Sequence, residues 1–329
     1  MPAEGSRLVA LVKRVGAARD PSPRARRVLL VLGLVAFVVM LVVSLRALEV
    51  GFDDVSWWPL VVAGLVLTPL TILGNAAELR VMAYATAQRP LPWSESVRVV
   101  VLATAANLLP IPGAALVRVQ ALRTRGASGA AATAVNVAGA GAWLGSGLLI
   151  AGLALAPVRG PVALLAAAVG VVGCVVAALI VRKIALPGRA LRATLALIYV
   201  EVTVTLLYGV RLLVVLAALR VDLELLQALV IALSAPLSAA AGVFPSGIGL
   251  AEAISGLLAP AVALPAAVGV AATGLNRVVG LAVTAPLAGW LASRSPVDSE
   301  GDADETEGHQ ADGEADAPAT ERGDEGVAP

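Results

Sequence analysis

Long apolar runs separated by short charged loops fill the chain from residue 28 to residue 294. An apolar run of about 20 residues is long enough to cross the hydrocarbon core of a bilayer as a helix. The pattern therefore predicts an all-α, polytopic integral membrane bundle. The predicted full spans are about 28–45, 59–79, 129–156, 161–181, 193–219 and 266–291.

Two further apolar stretches are interrupted by proline and glycine. The first break is Asn107-Leu-Leu-Pro-Ile-Pro-Gly113, and Arg118 follows it. The second break is Phe244-Pro-Ser-Gly-Ile-Gly249, and Glu252 follows it. In lipid, a broken backbone is tolerated only where it is buried in protein or lines a cavity. Paired breaks in two halves of a transporter indicate its substrate site.

The charges of the loops predict the topology. Residues 1–27 and the loops near 80–98, 118–125 and 182–192 are basic, which favours the cytoplasm, whereas the loops at 49–58 and 220–224 are acidic or mixed. Basic loops flank the first broken run, so we predict a re-entrant hairpin over about 95–122. A second hairpin over about 225–260 enters from the outside. Six full spans with two opposed hairpins would form an inverted repeat; eight full spans with the same cytoplasmic termini are the alternative.

Composition excludes a soluble domain and divides the chain into three parts. The chain is 59% hydrophobic with a mean hydropathy of +0.89, and only 14% of its residues are charged, against about 25% in soluble proteins. We expect a basic cytoplasmic segment over 1–27 and a membrane domain over 28–294. The tail, 295–329, is acidic and poor in large apolar residues, so we expect it to be disordered and cytoplasmic. The predicted location is the cell membrane.

Few residues suited to catalysis occur. The single histidine, His309, lies in the tail, and the single cysteine, Cys174, lies in an apolar run. This inventory excludes histidine catalysis and histidine-ligated zinc in the membrane domain. No nucleophile motif or phosphate-binding loop is present. We therefore expect no enzyme activity, no cofactor, no metal and no nucleic-acid partner, and we expect membrane lipids as ligands.

Charged residues inside spans are candidates for function. Arg211 lies well inside its predicted span, Arg277 lies about a third of the way along the last span, and Glu252 follows the second break. Four others lie near predicted span ends, where side chains extend to the headgroups: Arg46, Glu78, Arg80 and Glu201. Three amides lie within the membrane region and either hydrogen-bond between helices or contact a ligand: Asn107, Asn136 and Asn276.

The two breaks predict a headgroup site. A helix that starts after a break presents free N–H groups and the positive end of its dipole, which suits an anion. Arg118 would add contacts to a phosphate, and Glu252 would meet an amine or a counter-ion. The alternatives are that the breaks only shape the bundle, and that Glu252 and Arg277 form a structural ion pair. The predicted substrate-binding residues are Asn107, Pro110, Gly113, Arg118, Arg211, Pro245, Gly247, Gly249, Glu252, Asn276 and Arg277.

Both motifs, together with Arg123-Thr-Arg-Gly126 and Asn276-Arg277, resemble the lysylphosphatidylglycerol synthase transmembrane-region family, also called flippase-like. The resemblance covers about residues 28–292 and implies a bacterial or archaeal membrane domain that flips or exports lipids. Full-length aminoacyl-lipid synthases carry a soluble catalytic domain after this region, whereas a short acidic tail follows here, so aminoacyl transfer is not expected. Ala114 departs from the double glycine usual at the first break.

We therefore expect a transporter of a phospholipid or related amphiphile, whose headgroup binds between the two breaks. A second hypothesis is a non-transporting membrane partner of a separate enzyme of envelope lipid or polyprenyl-sugar synthesis. A third is an intramembrane enzyme that acts on a lipid headgroup through Glu252.

Overall fold

A computed structural model describes residues 23–49, 51–107, 113–241 and 247–294, and these residues form helices and short connections without a strand. The all-α class is therefore confirmed for the described part of the chain. The acidic tail, most of the basic N-terminal segment, Pro110 and Pro245 lie outside the described residues. The helices are α1 Pro23–Ala47, α2 Trp57–Thr86, α3 Trp93–Ala106, α4 Gly113–Thr124, α5 Gly129–Ile184, α6 Ala190–Ala217, α7 Leu225–Ala232, α8 Ser234–Ala241, α9 Leu250–Leu258 and α10 Ala266–Ser293.

Four helices are long and apolar enough to cross a membrane, namely α2, α5, α6 and α10. Their outward faces carry large apolar side chains that water would not solvate well. Val162 on α5 is 74% exposed, and Leu191 on α6 is 71% exposed. An apolar outer surface over apolar helices is what lipid contact requires. The protein is therefore a membrane protein.

Helix α5 folds back on itself as a hairpin. Gly160, between Pro157 and Pro161, has φ 44° and ψ −116°, which breaks the helical path. The two arms lie so close that a β-carbon placed on Gly145 would be 2.8 Å from the Cys174 nitrogen and from the Gly170 oxygen. Small residues allow helix backbones to approach in this way. The turn separates the two runs predicted at 129–156 and 161–181.

Backbone hydrogen bonds gather one set of loops at one end of the bundle. The N–H groups of Gln88 and Arg89 both donate to the Arg125 carbonyl oxygen at 3.1 Å, and the Leu186 N–H donates to the Ala85 oxygen at 2.8 Å. Loops 86–92, 124–128 and 184–190 therefore share what we call the basic end. It follows that α3 and α4 form a hairpin that begins and ends there.

A second set of loops lies at the other end of α6, which we call the distal end. The Ser56 N–H donates to the Ala218 oxygen at 2.8 Å, which joins loop 51–56 to the end of α6. The Gln227 side chain donates to the Val262 oxygen at 3.1 Å, so α7 begins where the 3₁₀ turn Ala259–Val262 lies. The α7–α9 segment therefore begins and ends at the distal end, opposite to α3 and α4.

Candidate functional site: a polar layer between two apolar cores

A polar layer crosses the middle of the bundle. On α6, Leu197 belongs to the apolar core nearer the basic end, and Leu212 belongs to the core nearer the distal end. Between them Glu201 and Thr205 are buried, and Tyr208 follows at helical spacing on the same face. Helix α6 packs against α2, α5, α7 and α10, so this face looks into the protein.

Three side chains at this level form what we call the first cluster: Glu78 on α2, Arg118 on α4 and Glu201 on α6. Nη1 of Arg118 lies 3.0 Å from Oε2 and 3.2 Å from Oε1 of Glu78. The Glu201 carboxyl is close enough to both groups for their charges to act on it. Oε1 of Glu201 and Nε of Arg118 are buried without a hydrogen-bond partner. Helix α4, which follows the first break, therefore places Arg118 beside the two carboxyl groups of Glu78 and Glu201.

The prediction that Glu78 and Glu201 extend to the headgroups is wrong. Glu78 is 6% exposed and Glu201 is 3% exposed. Helix α2 continues to Thr86, two turns beyond Glu78, so the carboxylate lies inside the bundle. Gly139 on α5 leaves the space that this carboxylate occupies, since a β-carbon there would lie 2.8 Å from Oε1 of Glu78.

The second break leads to an ion pair. Glu252 on α9 is fully buried, and its Oε1 accepts a hydrogen bond from Nε of Arg277 on α10 at 2.7 Å. Its Oε2 accepts the N–H of Gly249 at 2.8 Å, which completes the first turn of α9. Nη2 of Arg277 also donates to the Gly247 oxygen at 3.3 Å. The anion at this helix start is thus the protein's own carboxylate, and Arg277 is its counter-ion.

Arg211 adds a further cation beside this pair. It is 6% exposed, its Nη2 donates to the Asn276 backbone oxygen at 2.9 Å, and its Nε has no hydrogen-bond partner. Gly280 makes room for the guanidinium, because a β-carbon there would lie 2.7 Å from Nη2. Tyr208 lies within electrostatic range of Arg211, Glu252 and Arg277, and the Asn276 amide reaches its hydroxyl. We call Arg211, Tyr208, Glu252, Asn276 and Arg277 the second cluster.

The glycines at the breaks are positions where a side chain would not fit. Gly247 and Gly249 have φ angles of 61° and 81°, which L-residues rarely adopt. A β-carbon on Gly249 would also lie 3.0 Å from the Gly33 oxygen of α1. A β-carbon on Gly113 would lie 2.3 Å from the Ala106 oxygen, so α4 begins in direct contact with the end of α3.

The predicted amides lie in different surroundings. Asn107 follows the last turn of α3, where its N–H donates to the Ala103 oxygen at 3.0 Å. The Asn136 amide donates to Ala132 of its own helix at 2.8 Å, so this bond is not interhelical. The Oδ1 atom of Asn276 is buried without a partner. Asn276 is thus the amide that the structure brings into a cluster of charged residues.

The two clusters carry opposite excess charge when ionised. The first holds two carboxylates and one guanidinium, and the second holds two guanidiniums and one carboxylate. Glu201 and Tyr208, seven positions apart on α6, place the clusters about 10 Å apart along the helix axis. Sequence reasoning missed Tyr208, although its spacing from Glu201 and Arg211 fits one helix face. Comparison with protein-family models, with curated proteins and with solved structures finds no match to this chain.

Proposed function

We propose that this chain is a multi-pass transporter of a phospholipid or related anionic amphiphile in the cell membrane, with both termini cytoplasmic. The observation that carries the proposal is the second cluster, which holds two guanidiniums, Arg211 and Arg277, and a single carboxylate, Glu252, inside the bundle. A buried excess cation is costly unless an anion pairs with it. A lipid phosphate supplies such an anion, and the resemblance of the motifs to flippase-like domains agrees with this.

The second cluster has the chemistry to hold a headgroup. Nε of Arg211 is an unused donor, and arginine binds phosphate through several parallel hydrogen bonds. Oδ1 of Asn276 is an unused acceptor that would take a hydroxyl or an ammonium from the rest of the headgroup. A headgroup with both a phosphate and a donor satisfies both atoms at once.

The lengths of α3 and α4 support a re-entrant hairpin. Helix α3 has 14 residues and α4 has 12, which gives lengths of about 21 Å and 18 Å, short of a roughly 30 Å hydrocarbon core. Six full spans with two re-entrant hairpins, related as an inverted repeat, are therefore our preferred topology. In this arrangement each break lies at mid-membrane depth, where interrupted helices form substrate sites in transporters.

The test is lipid translocation by the purified full-length protein in phosphatidylcholine vesicles. Fluorescent phosphatidylglycerol is added, and bleaching of the outer leaflet by dithionite reports the rate of exchange between leaflets. We expect wild-type protein to exchange the probe and Arg211→Gln to slow it at least about tenfold, since each charged hydrogen bond contributes about 1.5–3 kcal/mol. Arg192→Gln is the matched control, because Arg192 is exposed on the same helix.

Three outcomes distinguish the hypotheses. Equal rates in wild type, Arg211→Gln and Arg277→Gln would remove the second cluster from the mechanism. Slower exchange of a phosphatidylcholine probe than of phosphatidylglycerol would support selection for net negative charge. No exchange of any probe, together with co-purification of a lipid-modifying enzyme, would favour the non-transporting partner.

A further inference from the structure

The first cluster holds one more carboxyl group than its single cation can neutralise. We propose that Glu78 and Glu201 form a proton-binding site, and that the bound proton is the ion whose movement drives lipid transport. The proton site itself stands on the geometry of the cluster alone. Only the coupling to transport rests on the function proposed above.

Burial of two neighbouring carboxyl groups beside one cation favours a shared proton. An ionised carboxylate has acceptors only, so two neighbouring carboxylates repel each other and neither can donate to the other. Arg118 donates to Glu78, whereas Oε1 of Glu201 has no donor in the protein. Because Glu201 is only 3% exposed, bulk water does not supply one. One proton shared between the carboxyls supplies the missing O–H donor. It also leaves one carboxylate against one guanidinium, so the buried cluster becomes neutral.

Within the described residues, Arg118 is the one cation among the groups whose charge acts on Glu201. The groups that face it are Glu78 from α2, Arg118 from α4 and the thiol of Cys174 from α5. Helix α7, which also packs against α6, carries no ionisable residue. Helix α10 directs Arg277 to the second cluster, at the level of Tyr208. A proton is thus the charge that balances Glu201.

The position of Glu201 links the proton to the headgroup site. Glu201 and Tyr208 lie on one face of α6, so any shift of α6 moves both clusters together. Helices α2 and α6 are in close contact near this level, since a β-carbon on Gly74 would lie 2.7 Å from a methyl group of Val204. Loss of the proton would leave two carboxylates across this contact and push α2 and α6 apart. Buried acids in membrane transporters commonly serve as such proton relays.

The first experiment detects the proton directly. Infrared spectra of the reconstituted full-length protein at neutral pH should contain the carbonyl stretch of a protonated carboxylic acid, shifted by D₂O. We expect Glu201→Gln to remove this band. Glu95→Gln is the matched control, because Glu95 pairs with Arg125 at the basic end and its side chain is 31% exposed. Absence of the band in the wild type, or its persistence in both Glu201→Gln and Glu78→Gln, would overturn the proton site.

The second experiment tests coupling in the same phosphatidylcholine vesicles with the phosphatidylglycerol probe. We expect a pH gradient to change net movement of the probe at least about fivefold in the wild type, and a protonophore to abolish that change. In Glu201→Gln the rate should be independent of the gradient, whatever its absolute value. Wild-type exchange that ignores the gradient would overturn coupling and leave transport intact. If no probe moves under any condition, the transport proposal fails, and the infrared band alone decides the proton site.

Discussion

The Glu252 carboxylate stabilises two helices at once. One oxygen accepts the Gly249 N–H at the start of α9, and the other accepts Nε of Arg277 on α10. The side chain is fully buried, so water cannot replace either bond if one partner is removed. A pair of this kind contributes little net stability compared with apolar residues, yet breaking it leaves an unpaired buried charge.

We expect Glu252→Gln to lower the free energy of unfolding by about 3–5 kcal/mol, because Arg277 would remain as an uncompensated cation. Adding Arg277→Gln should recover part of this loss, since two amides can hydrogen-bond without a net charge. Thermal denaturation of the single and double variants in detergent gives the coupling between the two residues. Glu95→Gln is the control; its partly exposed pair with Arg125 is expected to contribute about 0–1 kcal/mol. A loss in Glu252→Gln no larger than in Glu95→Gln would contradict the prediction.

At the scale of elements, the hydropathy pattern predicted where helices lie, but it did not predict which charged side chains are buried inside the bundle. The run predicted at 266–291 corresponds to α10, Ala266–Ser293, because apolar runs report contact with lipid or with the core. The run predicted at 59–79 ended at Glu78 and Arg80, since a charge lowers the local hydropathy. The helix continues to Thr86, so Glu78 lies inside the helix and not at its end. The Glu252–Arg277 ion pair was one of the alternatives that the sequence left open, whereas the Arg118–Glu78 pair was missed because Glu78 was placed at a helix end.

The second break depends on a backbone shape that only glycine adopts freely. Gly249 has φ 81° and lies against the Gly33 oxygen of α1, so Gly249→Ala should be strained and should also displace α1. We expect a loss of about 1–3 kcal/mol, measured as a lower melting temperature in detergent. Gly289→Ala on α10 is the control, because a β-carbon there meets no atom within 4 Å; it should stabilise by about 0.5–1 kcal/mol. Equal melting temperatures for the two variants would show that this break is not constrained.

For the whole molecule, the arrangement of loops decides how the polar layer can be reached. Hairpin α3–α4 begins and ends at the basic end, and segment α7–α9 begins and ends at the distal end. In the proposed topology, two hairpins from opposite ends would give the layer one opening toward each side of the membrane. Alternating access needs this arrangement, because the headgroup must reach water on both sides without an open channel. The proposed transport therefore depends on which end of the bundle faces each side of the membrane.

Accessibility of single cysteines tests this placement. In a Cys174→Ser background, Gln88→Cys and Thr124→Cys flank hairpin α3–α4, and Asp222→Cys and Pro265→Cys flank segment α7–α9; all four positions are exposed. Basic loops stay in the cytoplasm, so we expect an impermeant maleimide to label the first pair only in inverted membrane vesicles and the second pair only in intact cells or spheroplasts. Labelling of both pairs from the same side of the membrane would show that hairpin α3–α4 and segment α7–α9 do not enter from opposite faces. The layer would then not open toward both sides, and the buried clusters would serve to hold helices together rather than to pass a headgroup between leaflets.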